Sequence, residues 1–451
     1  MWVCLSTDIV MGLLLLGLLA YGLWVRTHPT IRRAWGRVFS RPSAAVAATL
    51  LLFFTSIAAL DSVHFRPALD PAPDGTPIYS PVTRSLLAHW VNETLDAAHP
   101  ERSYSTPFAL KEFDKSTALT PTGRIRDFQP LKAPQTYAWS TTELVLRMAL
   151  GALLGALLLG APAWGVARAM NRGAKAMSPA QRSSWLTLIV LGLLFGALLA
   201  AWPARHPLGT DAVGNDVLLA SLQSLRTALV IGTLATLATL PFAVTLGIAA
   251  GFFKGWVDDL IQYLYTTLSS IPGVLLIAAM VLMIQGFMDS HPDLWQTGLE
   301  RADIKLFMLS LIIGLTGWAS LARLLRAETL KLSTLDYVMA ARASGVSNLT
   351  IMARHILPNV LHIVLIVAVL DFSGIVLYEA VLSYVGVGVD PSMNSFGTMI
   401  NAARSELSRS PMVWWNLGAA FCFMLTLVLS ANVLASSVRD AFDPRANARE
   451  S

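Results

Sequence analysis

Apolar residues fall in nine long runs separated by polar stretches, a pattern that predicts membrane-spanning helices. The runs cover about 8–25, 44–63, 141–167, 184–202, 226–252, 260–286, 304–325, 360–388 and 413–435. Each supplies roughly the 20 residues a helix needs to cross the hydrocarbon core. The polar stretches are of two kinds. Arg26, Arg32, Arg33, Arg37 and Arg41 follow the first run with no acid among them, as do Arg168, Arg172, Lys175 and Arg182 after the third. Segment 287–303 is the reverse, with Asp289, Asp293, Glu300 and Asp303 against Arg301. Basic loops stay in the cytoplasm. One orientation satisfies all three stretches: N-terminus outside, C-terminus inside, and 64–140, 203–225, 287–303 and 389–412 outside. The first run has no basic residues ahead of it, so it reads as a retained helix rather than a signal peptide.

Composition agrees with that reading. The 451 residues are 55% hydrophobic and 14% charged, whereas soluble domains carry about 25% charged residues. The fold class is therefore an all-α polytopic membrane protein with about nine transmembrane helices. A net charge of +5 confined to a few loops reads as membrane orientation, with lipid and not nucleic acid as the contacting phase. Cys4 and Cys422, both in apolar runs, permit no disulfide framework and no thiolate zinc site. Segment 64–140 is different material, balanced at eight acids and eight bases, with prolines from Pro67 to Pro134. Within it, Leu86, Leu87, Trp90, Val91 and Leu95 predict a helix over 82–97 that packs on the membrane domain. Gly151, Gly155, Gly192 and Gly196 have the spacing that lets two helices approach closely in lipid.

Catalytic motifs are missing. The nearest fragment to a phosphate-cradling loop, Gly173-Ala174-Lys175, lacks the first glycine and the following hydroxyl, so the chain has no evident means of binding ATP. His64, His89, His99 and His206 match no metal spacing and read as surface or packing residues. Arg147, Asp371 and Glu379 are the ionisable residues more than a turn inside the predicted spans; such residues face protein or water, not lipid. Asp371 and Glu379 read as pathway or bundle-interior residues.

One polar stretch, Ala327 to Pro358, is too polar to span and too long for a tight turn. It predicts a short helix over Asp336 to Ser344, a stop at Gly345, and a second helix from Leu349 to His355 ended by Pro358. Such a cytoplasmic knuckle suits a groove on a soluble partner.

This knuckle resembles the EAA loop of ABC-importer permeases, in particular the C-type permease of the oligopeptide/dipeptide/nickel branch. Ala340-Ala341, three residues, Gly345, eleven residues and Leu357-Pro358 reproduce its spacing, with Met339 where the general pattern has glutamate. His206-Pro207-Leu208-Gly209-Thr210-Asp211, with Gly214 and Asp216, is similar to the family's HPLGTDxxGRDV segment. Gly255-Trp256-Val257-Asp258, the Glu379 to Gly388 stretch and Arg439-Asp440-Ala441-x-Asp443-Pro444-Arg445 agree in the same order.

The resemblance implies a type I importer core of about six spans, with 44–63 as its first span and 203–435 as its main body. It makes 1–43 an added helix with a basic segment, 64–140 an extracytoplasmic insertion, 141–202 an added helix pair and 436–451 a cytoplasmic tail. It implies a permease subunit of the bacterial inner membrane that is not itself an enzyme and needs no cofactor or metal. Two ATP-binding subunits, a second homologous permease and an extracytoplasmic solute-binding protein are the implied partners. Leu335, Asp336, Tyr337, Val338, Met339, Ala340, Ala341, Ser344 and Gly345 are the implied ATPase-coupling residues. Peptide is the favoured cargo. The alternatives are a nickel importer, a scaffold or receptor acting through 64–140, and a secondary transporter using Asp371 and Glu379.

Overall fold

The computed structural model describes residues 1–69, 78–80, 82–95, 101–120, 123–137, 139–170, 177–295 and 297–442. His99, Arg172 to Lys175 and Asp443 to Arg445 of the sequence reading lie outside these residues. A short strand β1 (Trp2–Val3) precedes α1 (Ser6–Thr27), α2 (Pro29–Ser40) and α3 (Pro42–Asp61). The polar segment then supplies β2 (His64–Phe65), β3 (Arg84–Ser85), α4 (Leu86–Leu95), the hairpin β4 (Ser116–Thr120)–β5 (Gly123–Asp127) and α5 (Lys132–Tyr137). Next come α6 (Thr141–Met170), α7 (Pro179–Ala201), α8 (Val217–Phe253), α9 (Gly255–Ser270), α10 (Gly273–Ser290) and α11 (Gly298–Leu332). The chain ends with α12 (Asp336–Ala343), α13 (Asn348–Ile351), α14 (Leu357–Tyr384), α15 (Phe396–Glu406) and α16 (Trp415–Phe442). Among the described residues nine helices are long and apolar enough to cross a membrane, with Asn348–Tyr384 counted as one.

Three expectations change in detail. The predicted single span 260–286 is two helices, α9 and α10, broken at Ile271–Pro272. Proline offers no N–H and disfavours helical backbone in the residue before it, and Ile271 is extended (φ −89°, ψ 130°). The predicted second knuckle helix does not end at Pro358. The chain passes from α13 through a π turn over Met352–Ile356 into α14, with the Leu357 N–H donating to the Met352 carbonyl. The wider turn accommodates a proline that an α-helical register would reject. Finally, the segments predicted outside are partly helical: α8 starts at Val217 and α15 occupies Phe396–Glu406.

The chain divides into two compact units. The first comprises Met1–Asp8, Gly36–Thr227 and Asn394–Ser430. Here α6 and α7 meet along a glycine seam in which a Cβ on Gly151, Gly155, Gly192 or Gly196 would overlap the facing backbone, as their spacing predicts. The Trp185 indole N–H donates to the Gly160 carbonyl at 3.0 Å on the same seam. The other side of α7 packs on α3. The α4 helix packs on α3 as expected, but through Leu87 and Val91, leaving Leu86 and Trp90 exposed. Ser85, just before α4, donates from its hydroxyl to Asp61 Oδ1 at 2.6 Å. Strand β1 pairs with β2 and β2 with β3, so the N-terminus shares a membrane face with the polar segment.

The second unit comprises Ile9–Trp35, Ala228–Met393 and Ala431–Ser451. Gly247, Gly251 and Gly314 bring α8 and α11 into backbone contact, each lying against the facing helix's backbone. At one end Ile261, Tyr265, Trp318, Leu325, Ile351 and Val360 form an apolar core joining α8, α9, α11, α13 and α14. That core is the base on which α12 sits.

Candidate coupling loop and the His206 segment

The α12 helix begins after an extended Leu335 that offers no side-chain cap; Asp336 lies in its first turn and Arg342 in its last, where each charge opposes the helix dipole. Its end is specified more strongly. Gly345 adopts φ +77°; its N–H donates to the Arg342 carbonyl and that of Val346 to the Ala341 carbonyl, both at 3.1 Å. These two bonds form a Schellman motif, which needs a residue that tolerates left-handed backbone.

Only one α12 side chain is fully buried. Val338 is 1% exposed in the base core, with Ala341 and Val346 packed at its edge. The Arg342 guanidinium lies 4.7 Å from the Phe252 ring centre, and the Tyr337 hydroxyl accepts from Asn359 Nδ2 at 3.2 Å. Leu335, Asp336, Tyr337, Met339, Ala340, Ser344 and Gly345 are all exposed. The sequence-nominated residues therefore fall into two sets, with Val338 and Ala341 turned toward the chain's own core and the other seven toward the surface.

Beneath α12, Asp258 at the start of α9 accepts two hydrogen bonds of 2.5 Å from Arg326 on α11. The fork holds the Asp258 carboxyl below the usual carboxylate range, against a smaller opposing effect of burial. Lys254 and Gly255, with φ of +58° and +56°, make the tight reversal before it. Sequence reading noted the GWVD stretch but missed this pairing, because Arg326 lies 68 residues away.

Glu379 and Asp371 part company. Glu379 is 1% exposed and its Oε1 accepts from the Ser383 hydroxyl at 2.7 Å, placing it in the bundle interior. The Val389 N–H donates to the same hydroxyl at 3.2 Å, and a Cβ on Gly388 would overlap Ser383. The Glu379 to Gly388 stretch is therefore a helix end folded back on itself. Asp371 is half-buried midway along α14. It has no hydrogen-bond or ion-pair partner among the described residues.

The segment that begins at His206 is built around Asp216. Asp216 Oδ1 caps α8, accepting from the N–H groups of Leu218 and Leu219 at 2.8 and 3.0 Å. Its Oδ2 accepts from Trp202 Nε1 at 3.0 Å and pairs with His206 Nδ1 at 2.8 Å. His206 Nε2 faces Glu101 Oε1 at 3.7 Å, an ion-pair distance too long for a hydrogen bond. Burial alone would lower the imidazole pKa; the Asp216 hydrogen bond and the Glu101 carboxylate outweigh it and raise His206 to about 9. Glu101 belongs to the polar segment between α3 and α6, whose 101–105 stretch lies along 209–216. Thr210 N–H donates to the Ser105 carbonyl at 3.1 Å, and Gly209 (φ +75°) and Gly214 (φ +86°) leave room for the backbones of Ser105 and Glu101. Trp415 Nε1 donates to the Thr210 carbonyl at 2.9 Å.

A second buried cluster was not foreseen. Arg226 of α8, 4% exposed, donates to Thr7 Oγ1 at 2.6 Å and Asp8 Oδ1 at 2.7 Å, and Asp8 Oδ2 pairs with His64 Nδ1 at 2.9 Å. His64 and His206 are thus packing histidines, as expected, each matched to a carboxylate. Arg147 lies near the start of α6, its guanidinium 4.2 Å from the Trp139 ring centre.

Among the described residues, nine helices long and apolar enough to cross a membrane define a polytopic membrane protein. Residues 243–448 match the family described as the binding-protein-dependent transport system inner membrane component. The chain is 31% identical over 250 residues to the oligopeptide transport system permease protein OppC of Mycobacterium tuberculosis, covering 55% of this chain and 79% of that one. It is also 31% identical to the glutathione transport system permease protein GsiD of Pectobacterium atrosepticum and the dipeptide transport system permease protein DppC of Alkalihalophilus pseudofirmus. Each of those matches runs over 242 residues, 54% of this chain and 73% of the relative. The chain belongs to the binding-protein-dependent transport permease family, and its core is that family's all-α membrane fold.

Proposed function

We propose that this chain forms half of the translocation pathway of an ATP-driven importer for peptides. A second homologous permease completes the pathway, two ATP-binding subunits drive it from the cytoplasm, and a solute-binding protein delivers cargo from outside. Peptide cargo rests on the relatives, which are named for oligopeptide, dipeptide and glutathione transport. In this reading 64–140 and the N-terminus face outward and α12 faces the cytoplasm, as the basic loops require. Residues 1–43, 64–140 and 141–202 are additions to the core.

The observation that carries the coupling role is the asymmetry of α12. One valine fixes it to its base, while Met339, Ala340 and Ser344 lie exposed on its outer surface. A short helix of this kind enters a groove on a soluble subunit. ATPase closure would move it together with its base, shifting the flanking helices between outward and inward access. Both sets of ligands then bias one two-state element, which is what coupling requires.

The test is purification of the complex through a C-terminal tag, with bound proteins identified by mass spectrometry, for wild type and Ala340→Trp. Wild type should bring down an ATPase pair and a second permease. Ala340→Trp should insert normally, lose the ATPases and take up radiolabelled tri-alanine at least tenfold more slowly. A complete complex with undiminished uptake from Ala340→Trp would exclude docking through this face.

A further inference from the structure

The α14 helix has two faces of different character and a third feature between them. Ser373, Val376, Glu379 and Ala380 are buried. Leu370, Leu377 and Val381 are between 44% and 49% exposed, and Gly374 has open space where a side chain would be. At about 100° per residue, Asp371 and Tyr378 share a flank beside the exposed face, bounded along the helix by the buried Val364 and Leu382. Asp371 is there without a partner among the described residues, at the middle of a helix that crosses the bilayer.

The same flank meets a second feature unsuited to lipid. A Cβ on Gly273 would lie 3.1 Å from the Tyr378 hydroxyl, so Tyr378 reaches the first residue of α10. That residue follows the Ile271–Pro272 break, and Ile271, Pro272 and Gly273 are all exposed. The break falls at the midpoint of the Gly255–Ser290 stretch. Non-helical backbone at membrane depth survives only where it is covered by protein or lines water. An ionisable side chain in a span obeys the same restriction. The second unit therefore carries, within two helical turns of each other, an unpaired carboxylate and an open helix break.

We propose that the sector formed by Asp371, Gly374, Tyr378 and the Ile271–Gly273 break lines the translocation pathway near the bilayer midplane. There the Asp371 carboxylate receives the ammonium or guanidinium groups of the cargo as they pass. The inference rests on the importer reading and extends it to the charge class of the cargo. A carboxylate in a narrow, water-filled passage with low-dielectric walls attracts cations and disfavours acidic groups. The half-helix ends at the break supply free backbone amides and carbonyls beside it.

The experiment uses the complete importer in native membranes with labelled trilysine, trialanine and triglutamate. Asp371→Asn should reduce trilysine uptake about tenfold, trialanine less, and triglutamate least, while Asp371→Glu should restore the wild-type order. An equal loss for all three peptides, or no loss, overturns the proposal; so does loss of the second permease from the Asp371→Asn complex, which would make this residue an interface partner instead. Asp371→Cys, in a Cys4→Ser/Cys422→Ser background, should react with a charged, water-soluble thiosulfonate; protection from it throughout turnover also overturns the proposal. Failure of wild type to import any of the three peptides would instead sink the peptide reading itself.

Discussion

The polar segment between α3 and α6 and the α12 knuckle are both polar excursions from an apolar bundle, yet they are held in opposite ways. The segment is fastened by buried charge, with His206 between Asp216 and Glu101 and its 101–105 stretch bonded along 209–216. The knuckle is fastened by one valine, one glycine turn and a brace from Tyr337 to Asn359. Buried ion pairs gain little over apolar packing but are expensive to break, so they fix a geometry. A single apolar anchor fixes position and leaves a surface to be covered by something else. The two regions thus separate a part that completes the fold from a part that leaves most of its surface exposed.

Breaking the buried charge should have the largest effect. Arg226→Met leaves Asp8 buried with His64 alone and should destabilise the first unit by about 3–5 kcal/mol, read as a lower denaturation midpoint in detergent. The double variant Arg226→Met/Asp8→Leu should recover much of that loss. Next in size is a pH effect. His206 sits near 9 when folded against 6.5 unperturbed, so folding favours its protonated form. Its stabilisation, about 3 kcal/mol by the usual conversion, is full below pH 6.5 and is lost as pH rises from there through 9. Protease cleavage within 64–140 should therefore accelerate across that window, and His206→Gln should flatten the dependence.

The knuckle should respond more weakly. Val338→Ala removes two buried methyl groups and should cost about 2 kcal/mol, visible as faster amide exchange in α12 with little change in the global midpoint. Gly345→Ala is the mildest change. Nothing lies within 4 Å of the added Cβ, so only the left-handed backbone resists it, at about 1 kcal/mol. A global loss comparable to that of Arg226→Met from either knuckle variant would erase the contrast between the regions.

Most of the helical plan was legible because apolar run length is a local property of the chain. The nine spans, the α4 helix, the α6–α7 glycine seam and the Gly345 stop all follow from short windows. The Ile271–Pro272 break was less visible, because apolar residues recur on both sides of it; Pro272 and the polar Thr266, Thr267, Ser269 and Ser270 before it were its signals. The π turn at Met352–Ile356 reversed the usual meaning of Pro358. Long-range pairings were out of reach. Asp8 with Arg226 and Asp258 with Arg326 join residues 218 and 68 apart, and nothing local marks either partner. The glycines of the segment that begins at His206 were visible as a motif, but their reason was not: each makes room for the backbone of an insertion a hundred residues earlier.

The α6–α7 hairpin has a consequence for how such a chain can change over time. Its glycine seam is internal to the pair, so its tightest packing asks nothing of the rest of the protein. A pair of spans also leaves the bilayer on the side where it entered. Gaining or losing the hairpin therefore inverts no later helix, whereas a single span gained at the same place would turn every downstream loop to the wrong compartment. Parity, as much as packing, makes a helix pair an admissible unit of growth between two spans of a working permease.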